Sequence, residues 1–134
     1  MTLNIRVIAP DRTVWDASAE EVILPSSTGQ LGILTGHIPL LTALDIGVMR
    51  VRIDKEWIPI VLLGGFAEVE NNKITILVNG AEEASDINPE LAQKSLEEAS
   101  QLLATASSSK AQIEATQQVR KARARLQAVA TLTL

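Results

Sequence analysis

The chain has no cysteine, a single histidine, His37, and only three aromatic residues, Trp15, Trp57 and Phe66. Without cysteine there are no disulfides, no zinc–thiolate sites and no thiol nucleophile. One histidine with no acidic cluster beside it in the sequence argues against a metalloenzyme, and His37 alone singles out no Ser-His-Asp arrangement among the plentiful serines. So few aromatics argue against stacking on nucleic-acid bases and imply a core of Val, Ile and Leu. No apolar run approaches the roughly 20 residues needed to span a bilayer. The opening Met1-Thr2-Leu3-Asn4-Ile5-Arg6 lacks the apolar stretch of a signal peptide, so a soluble or peripheral protein is expected.

Glycine and proline are also missing from one part of the chain. All seven glycines lie at or before Gly80, and no proline follows Pro89. Beyond that point Ala, Leu, Gln, Glu and Arg dominate, and these are the strongest helix formers. The break predicts an α+β protein in two parts: an antiparallel β-sandwich head over residues 1–84 and an antiparallel αα-hairpin over residues 85–134. Charge divides at the same place. The head holds 11 Asp and Glu against 6 Lys and Arg, the remainder 5 against 6. An acidic head argues against nucleic-acid binding. The cluster Arg120, Lys121, Arg123 and Arg125 suits an acidic protein partner.

What is present in the head is short alternation bounded by turn signals. Leu3, Ile5 and Val7 alternate with Asn4 and Arg6 up to Pro10-Asp11. Further strands are expected at Thr13–Asp16, Glu21–Leu24, Ile33–Leu34, Leu40–Leu44, Gly47–Ile53, Trp57–Leu63, Phe66–Glu70 and Lys73–Val78. Ser26-Ser27-Thr28-Gly29, Asp54-Lys55-Glu56, Gly64-Gly65 and Asn71-Asn72 read as the turns between them. Asn71-Asn72 suits a tight two-residue hairpin, because asparagine tolerates positive φ.

The hairpin begins where Asn88 can cap a helix whose first residue is Pro89, with Glu90 near the positive end of its dipole. Ala92, Leu96, Ala99, Leu102 or Leu103 and Ala106 recur at helical spacing up to a polar break at Thr105–Ser109. From Lys110, Ala115, Val119, Ala122, Leu126 and Val129 line one side of a second helix. A seam so rich in alanine buries little area, which predicts a weakly held arm with Asn88 and Pro89 as its hinge.

For the candidate site residues a plain reading stands beside a functional one. His37, between Gly36 and Ile38-Pro39, reads first as a turn histidine bonded to the backbone and second as an interface residue. The block Gly29-Gln30-Leu31-Gly32-Ile33-Leu34-Thr35-Gly36-His37 lacks the Lys-Ser or Lys-Thr of a phosphate-binding loop. It reads evenly as an irregular glycine loop or, from the apolar Leu31, Ile33 and Leu34, as a loop packed against something. Arg120–Arg125 reads as a solvated helix face, as a docking face for another protein's groove, or as a membrane-surface contact weakened by the lack of Phe or Trp anchors.

Gly29-x-x-Gly32-Ile33-Leu34-x-Gly36-His37-x-Pro39-Leu40, then Gly64-Gly65-Phe66-Ala67-Glu68-Val69, then a terminal helical hairpin, resembles the epsilon subunits of F-type ATP synthases over essentially the whole chain. Met1-Thr2-Leu3-Asn4, Val14-Trp15-Asp16 and Asp45-Ile46-Gly47 are similar to the cyanobacterial and chloroplast branch. The resemblance implies a non-catalytic rotor part in the central stalk. It implies a head seated beside the gamma subunit and the c-ring, peripheral on the cytoplasmic or stromal face of the thylakoid membrane. It also implies a hairpin that folds on the head or extends toward the alpha and beta subunits to oppose ATP hydrolysis. Residues 110–134 as a helix would reach about 37 Å.

On this reading Gln30, Gly36 and His37 meet the ring side, and Arg120, Lys121, Arg123 and Arg125 meet an acidic segment of a catalytic subunit. Thr35 replaces a proline common in relatives. ATP-binding relatives carry Ile/Leu-Asp-x-x-Arg-Ala where this chain has Ile87-Asn88-Pro89-Glu90-Leu91-Ala92, so ATP sensing by that route is not expected, nor any cofactor or metal. The competing class is a free-standing β-domain ligand carrier or enzyme with a helical lid, disfavoured by the missing catalytic clusters.

Overall fold

The computed structural model describes residues 2–132; Met1, at the start of the expected head, and Thr133 and Leu134, at the end of the expected arm, lie outside the described residues. Eight strands come first: β1 (Leu3–Ala9), β2 (Arg12–Ala19), β3 (Glu21–Ser26), β4 (Gly29–Leu34), β5 (Leu40–Ile53), β6 (Glu56–Glu70), β7 (Lys73–Val78) and β8 (Ala81–Glu83). A single 3-10 turn, Ala84–Asp86, leads into α1 (Pro89–Thr105) and α2 (Ser109–Leu132).

The strands pair in the order β2-β1-β7-β6-β5-β3-β4, with β8 on β6. Because β5 and β6 are long, they serve two layers. The first half of β5 pairs with the second half of β6 beside β7, β1 and β2; their other halves pair beside β3, β4 and β8. Leu3, Ile5, Val7, Ile74 and Ile76 from one layer meet Val22, Leu24, Met49, Val51, Ile60 and Leu62 from the other in a fully buried aliphatic core. The alternation in β1 is therefore read correctly as a half-buried strand. All pairs are antiparallel except β1 with β7, which is parallel.

The structure redraws several expected boundaries. Gly64-Gly65 separates no strands; it lies inside β6, at φ 86° and 150°, where the register skips from Leu44↔Gly65 to Ile46↔Leu63. A Cβ at Gly65 would run into the backbone of Leu77 and Val78, so only glycine lets β6 bend there from one layer to the other. The expected strands on either side fuse into β6, and Leu40–Leu44 with Gly47–Ile53 likewise fuse into β5. The block from Gly29 is no irregular loop, since β4 pairs with β3 along Ser26↔Gly29 to Glu21↔Leu34. Asn71 and Asn72 take φ 51° and 62°, the expected tight hairpin, and Asp54-Lys55 takes the same form at 51° and 71°.

In the hairpin, Asn88 Oδ1 accepts from the backbone N–H groups of Glu90 and Leu91 at 2.9 and 3.2 Å, capping α1 as expected. Ser108 Oγ accepts from the Ala111 N–H at 3.1 Å at the entry to α2. Ala92 and Ala99 on α1 and Ala115, Val119 and Ala122 on α2 are buried where the helices pack together.

Candidate functional site

Two regions hold the candidate residues. At one end of the head, the loop between β4 and β5 is tied to the β6–β7 hairpin by Gly36, whose N–H donates to Asn72 Oδ1 at 2.7 Å. Beside it His37 Nδ1 lies 2.7 Å from the carbonyl oxygen of Ile38, the backbone bond of the plainer reading. Leu34, Ile38 and Leu41, within four residues of this histidine in the chain, are exposed at 54%, 74% and 71%. Gln30 does not join them. It is the second residue of β4, toward the opposite end, where its Oε1 accepts from Arg50 Nη2 at 3.3 Å, roughly 13 Å of strand from Leu34.

The second region is where the arm meets the head. α2, rather than α1, lies on the sheet, across β5 and β6. Its residues Ala124 and Ala128 are one helical turn apart and buried against Val48 and Val61, with Ala84, Ile46, Leu63 and Ile87 completing the cluster. Val48 and Met49, like Val61 and Leu62, point to opposite faces, so this part of the sheet is buried on both sides. The unbroken apolar run Ile58–Leu63 is the sequence signal of that double burial. Ala84 and Ile87 bind the 3-10 turn into the same cluster.

The four cations of α2 then separate by role. Arg125 Nε donates to both carboxylate oxygens of Glu82 on β8 at 3.0 Å, and Nη2 donates to Oε2 at 2.7 Å. Both side chains are about two-thirds buried, at 28% and 33% exposure. The hydrogen bond to Glu82 raises the Arg125 pKa above its ordinary value; burial opposes this and the charge of Glu82 adds to it. A raised cation contributes its stabilisation fully below its unfolded-state pKa and loses it only as pH climbs through the higher folded value, so Arg125 keeps its charge through the mildly alkaline range. Arg120 Nη2 lies 3.6 Å from Asp45 Oδ2, in a more exposed pair at the β5 bend. Lys121 is half-buried and Arg123 exposed. Glu82 was not singled out in the sequence, and Asp45 only within Asp45-Ile46-Gly47, with no pairing to the basic helix.

Comparison with known proteins decides the family. The sequence matches the model "ATP synthase, Delta/Epsilon chain, beta-sandwich domain" over residues 2–84 and "ATP synthase, Delta/Epsilon chain, long alpha-helix domain" over residues 85–130. The chain belongs to the ATP synthase epsilon-chain family. It is 79% identical to the chloroplastic epsilon chain of Porphyra purpurea over 128 residues, 96% of each chain. It is 76% identical to that of Pyropia yezoensis over 133 residues, 99% of each. The epsilon chain of the cyanobacterium Thermosynechococcus vestitus is 63% identical over 131 residues, 96% of this chain and 95% of its own. Among solved structures, a chain of the Euglena gracilis mitochondrial ATP synthase superposes with a TM-score of 0.84 at 20% identity, covering 96% of this chain and 81% of that one. As an epsilon chain of the chloroplast and cyanobacterial type, the protein is a non-catalytic subunit of the F-type ATP synthase. No helix among the described residues is long and apolar enough to cross a membrane.

Proposed function

We propose that this epsilon chain is a rotor component of the central stalk whose head anchors it beside the gamma subunit and the c-ring and whose arm restrains ATP hydrolysis. The observation that carries the reading is the unequal build of the two parts. The head is closed around a large aliphatic core, whereas α2 rests on it through alanines and two ion pairs. Such an interface lets the arm leave without unfolding the head.

A chain in a solved structure of the Tetrahymena thermophila mitochondrial ATP synthase central stalk and c-ring superposes on this one with a TM-score of 0.69 at 12% identity, which supports the stalk position by analogy of fold. The exposed Leu34, Ile38 and Leu41, near His37 in the chain, suit the ring side. Gln30, at the other end of β4, belongs to a separate contact. The complex holds the chain at the stromal or cytoplasmic face of the thylakoid membrane. Once undocked, the 24 residues of α2 reach about 36 Å, enough to bridge from stalk to catalytic subunits. There Arg120, Lys121, Arg123 and Arg125 would meet an acidic segment and set register and direction. Asn88 and Pro89, both exposed between head and arm, form the hinge.

The test is reconstitution of the complex with a chain in which the four cations are changed to glutamine. Suppression of ATP hydrolysis is expected to fall at least about tenfold in inhibitory potency, with assembly and ATP synthesis near wild type. Undiminished inhibition would refute the role given to the basic face.

A further inference from the structure

We propose that Glu82 and Asp45 form an electrostatic latch that holds α2 on the head and, by occupying Arg125 and, more loosely, Arg120, competes with any other partner for the arm's basic cluster. The inference rests on the arm reading above for its consequence in the complex, but the latch itself stands on geometry in the isolated chain. Among the described residues, the buried members of the apolar cluster on the helix side are Ala124 and Ala128, side chains of one methyl each. Burial of so few methyls leaves ionic pairing a large share of what fixes the helix in place.

Arg125 makes three hydrogen bonds to one carboxylate, with a shortest distance of 2.7 Å, inside a site about two-thirds buried. Charge-assisted, multiply bonded pairs of this kind are the strong ones, and at about one-third exposure this one is still weakened by salt. Arg120 with Asp45, at 3.6 Å and about half exposed, is the weaker clasp. The two clasps sit on different elements: Glu82 on β8, the last strand before the arm, and Asp45 at the bend of β5. Together they fix both the rotation of α2 and its position along the sheet.

The consequence is competition. While docked, α2 leaves Arg123 exposed and Lys121 half-buried and holds Arg120 in a half-exposed pair, and Arg125 becomes available only when Glu82 lets go. An acidic surface that offers replacement carboxylates therefore draws the arm out, and salt loosens it without any ligand.

Hydrogen exchange on the full-length chain tests this. The variant Glu82→Gln with Asp45→Asn is expected to exchange about tenfold faster than wild type across residues 119–128 at low salt, and to lose most of the salt dependence the wild type shows between about 0.05 and 1 M. Amides of β1 and β7 should remain as protected as in wild type, which separates arm release from unfolding. Glu82→Arg alone should accelerate exchange, and Glu82→Arg combined with Arg125→Glu should restore protection. Unchanged exchange in the neutralised variant, or a charge swap that fails to restore it, overturns the latch. In the reconstituted complex the same neutralised variant should inhibit hydrolysis more strongly than wild type. If exchange rises as stated but hydrolysis does not change, the latch stands and the inhibitory-arm reading is the one that fails.

Discussion

Gly65 concentrates the geometry of the head in one residue. Its φ of 150° and the crowding that a Cβ would meet from Leu77 and Val78 leave no room for a side chain. Its pairing with Leu44 sits where β5 and β6 pass from one layer to the other. Gly65→Ala should therefore cost about 1–3 kcal/mol of head stability, the range of a residue forced into a disfavoured backbone region. Urea unfolding followed by circular dichroism checks it, and a midpoint equal to wild type would mean the bend tolerates a side chain. Gly64-Gly65 was visible in the sequence as special backbone, but a turn and a mid-strand bend use the same residue type. Only the pairing partner across the strand tells them apart, and that partner is distant in sequence. Asn71-Asn72 and Asn88 were readable for the opposite reason, because hairpin and cap chemistry are local.

At the scale of elements, α2 is a helix with two small-residue stripes. One, Ala115, Val119 and Ala122, was legible from its spacing; the second, Ala124 and Ala128, was hidden among the cations and faces the sheet. The periodicity was misleading because alanine is both the best helix former and a minimal packing residue, so its positions do not announce a buried face. The companion signal lay in β6, whose run Ile58–Leu63 is apolar without alternation because the sheet is covered on both sides there. The candidate cations were likewise legible as a cluster but not as pairs, since Glu82 and Asp45 are far from them in sequence. Since Ala128 is fully buried between α2 and β5–β6, Ala128→Leu has no cavity to enter. The overpacking should destabilise docking by about 1–3 kcal/mol and appear as faster proteolysis within α2, with the head intact. Unaltered protease resistance of α2 would show that the interface has slack that the buried alanine does not suggest.

For the whole molecule, the question is whether head and arm are separable. Among the described residues, none of the main core lies beyond Ala81, so the sandwich is filled without help from either helix. The arm contributes only the second cluster, where Ala124 and Ala128 cover Val48 and Val61. A chain ending at Asn88 should thus fold as a sandwich with one cooperative transition, at a cost set by newly exposed Val48, Val61, Ala84 and Ile87 rather than by any loss of the main core. Its melting temperature should fall by about 4–16 °C, what 1–2 kcal/mol produces in a domain of this size. Placed in the complex, the head alone should still assemble and support ATP synthesis while hydrolysis goes unrestrained, because the residues proposed to anchor it, such as His37, stay with the head and the cations leave with the arm. The calorimetric scan and the two activity assays answer different parts of this. A head that fails to fold would show that the small alanine interface stabilises the sandwich more than its buried area implies. A folded head that still suppresses hydrolysis would move the restraint from the arm to the anchor.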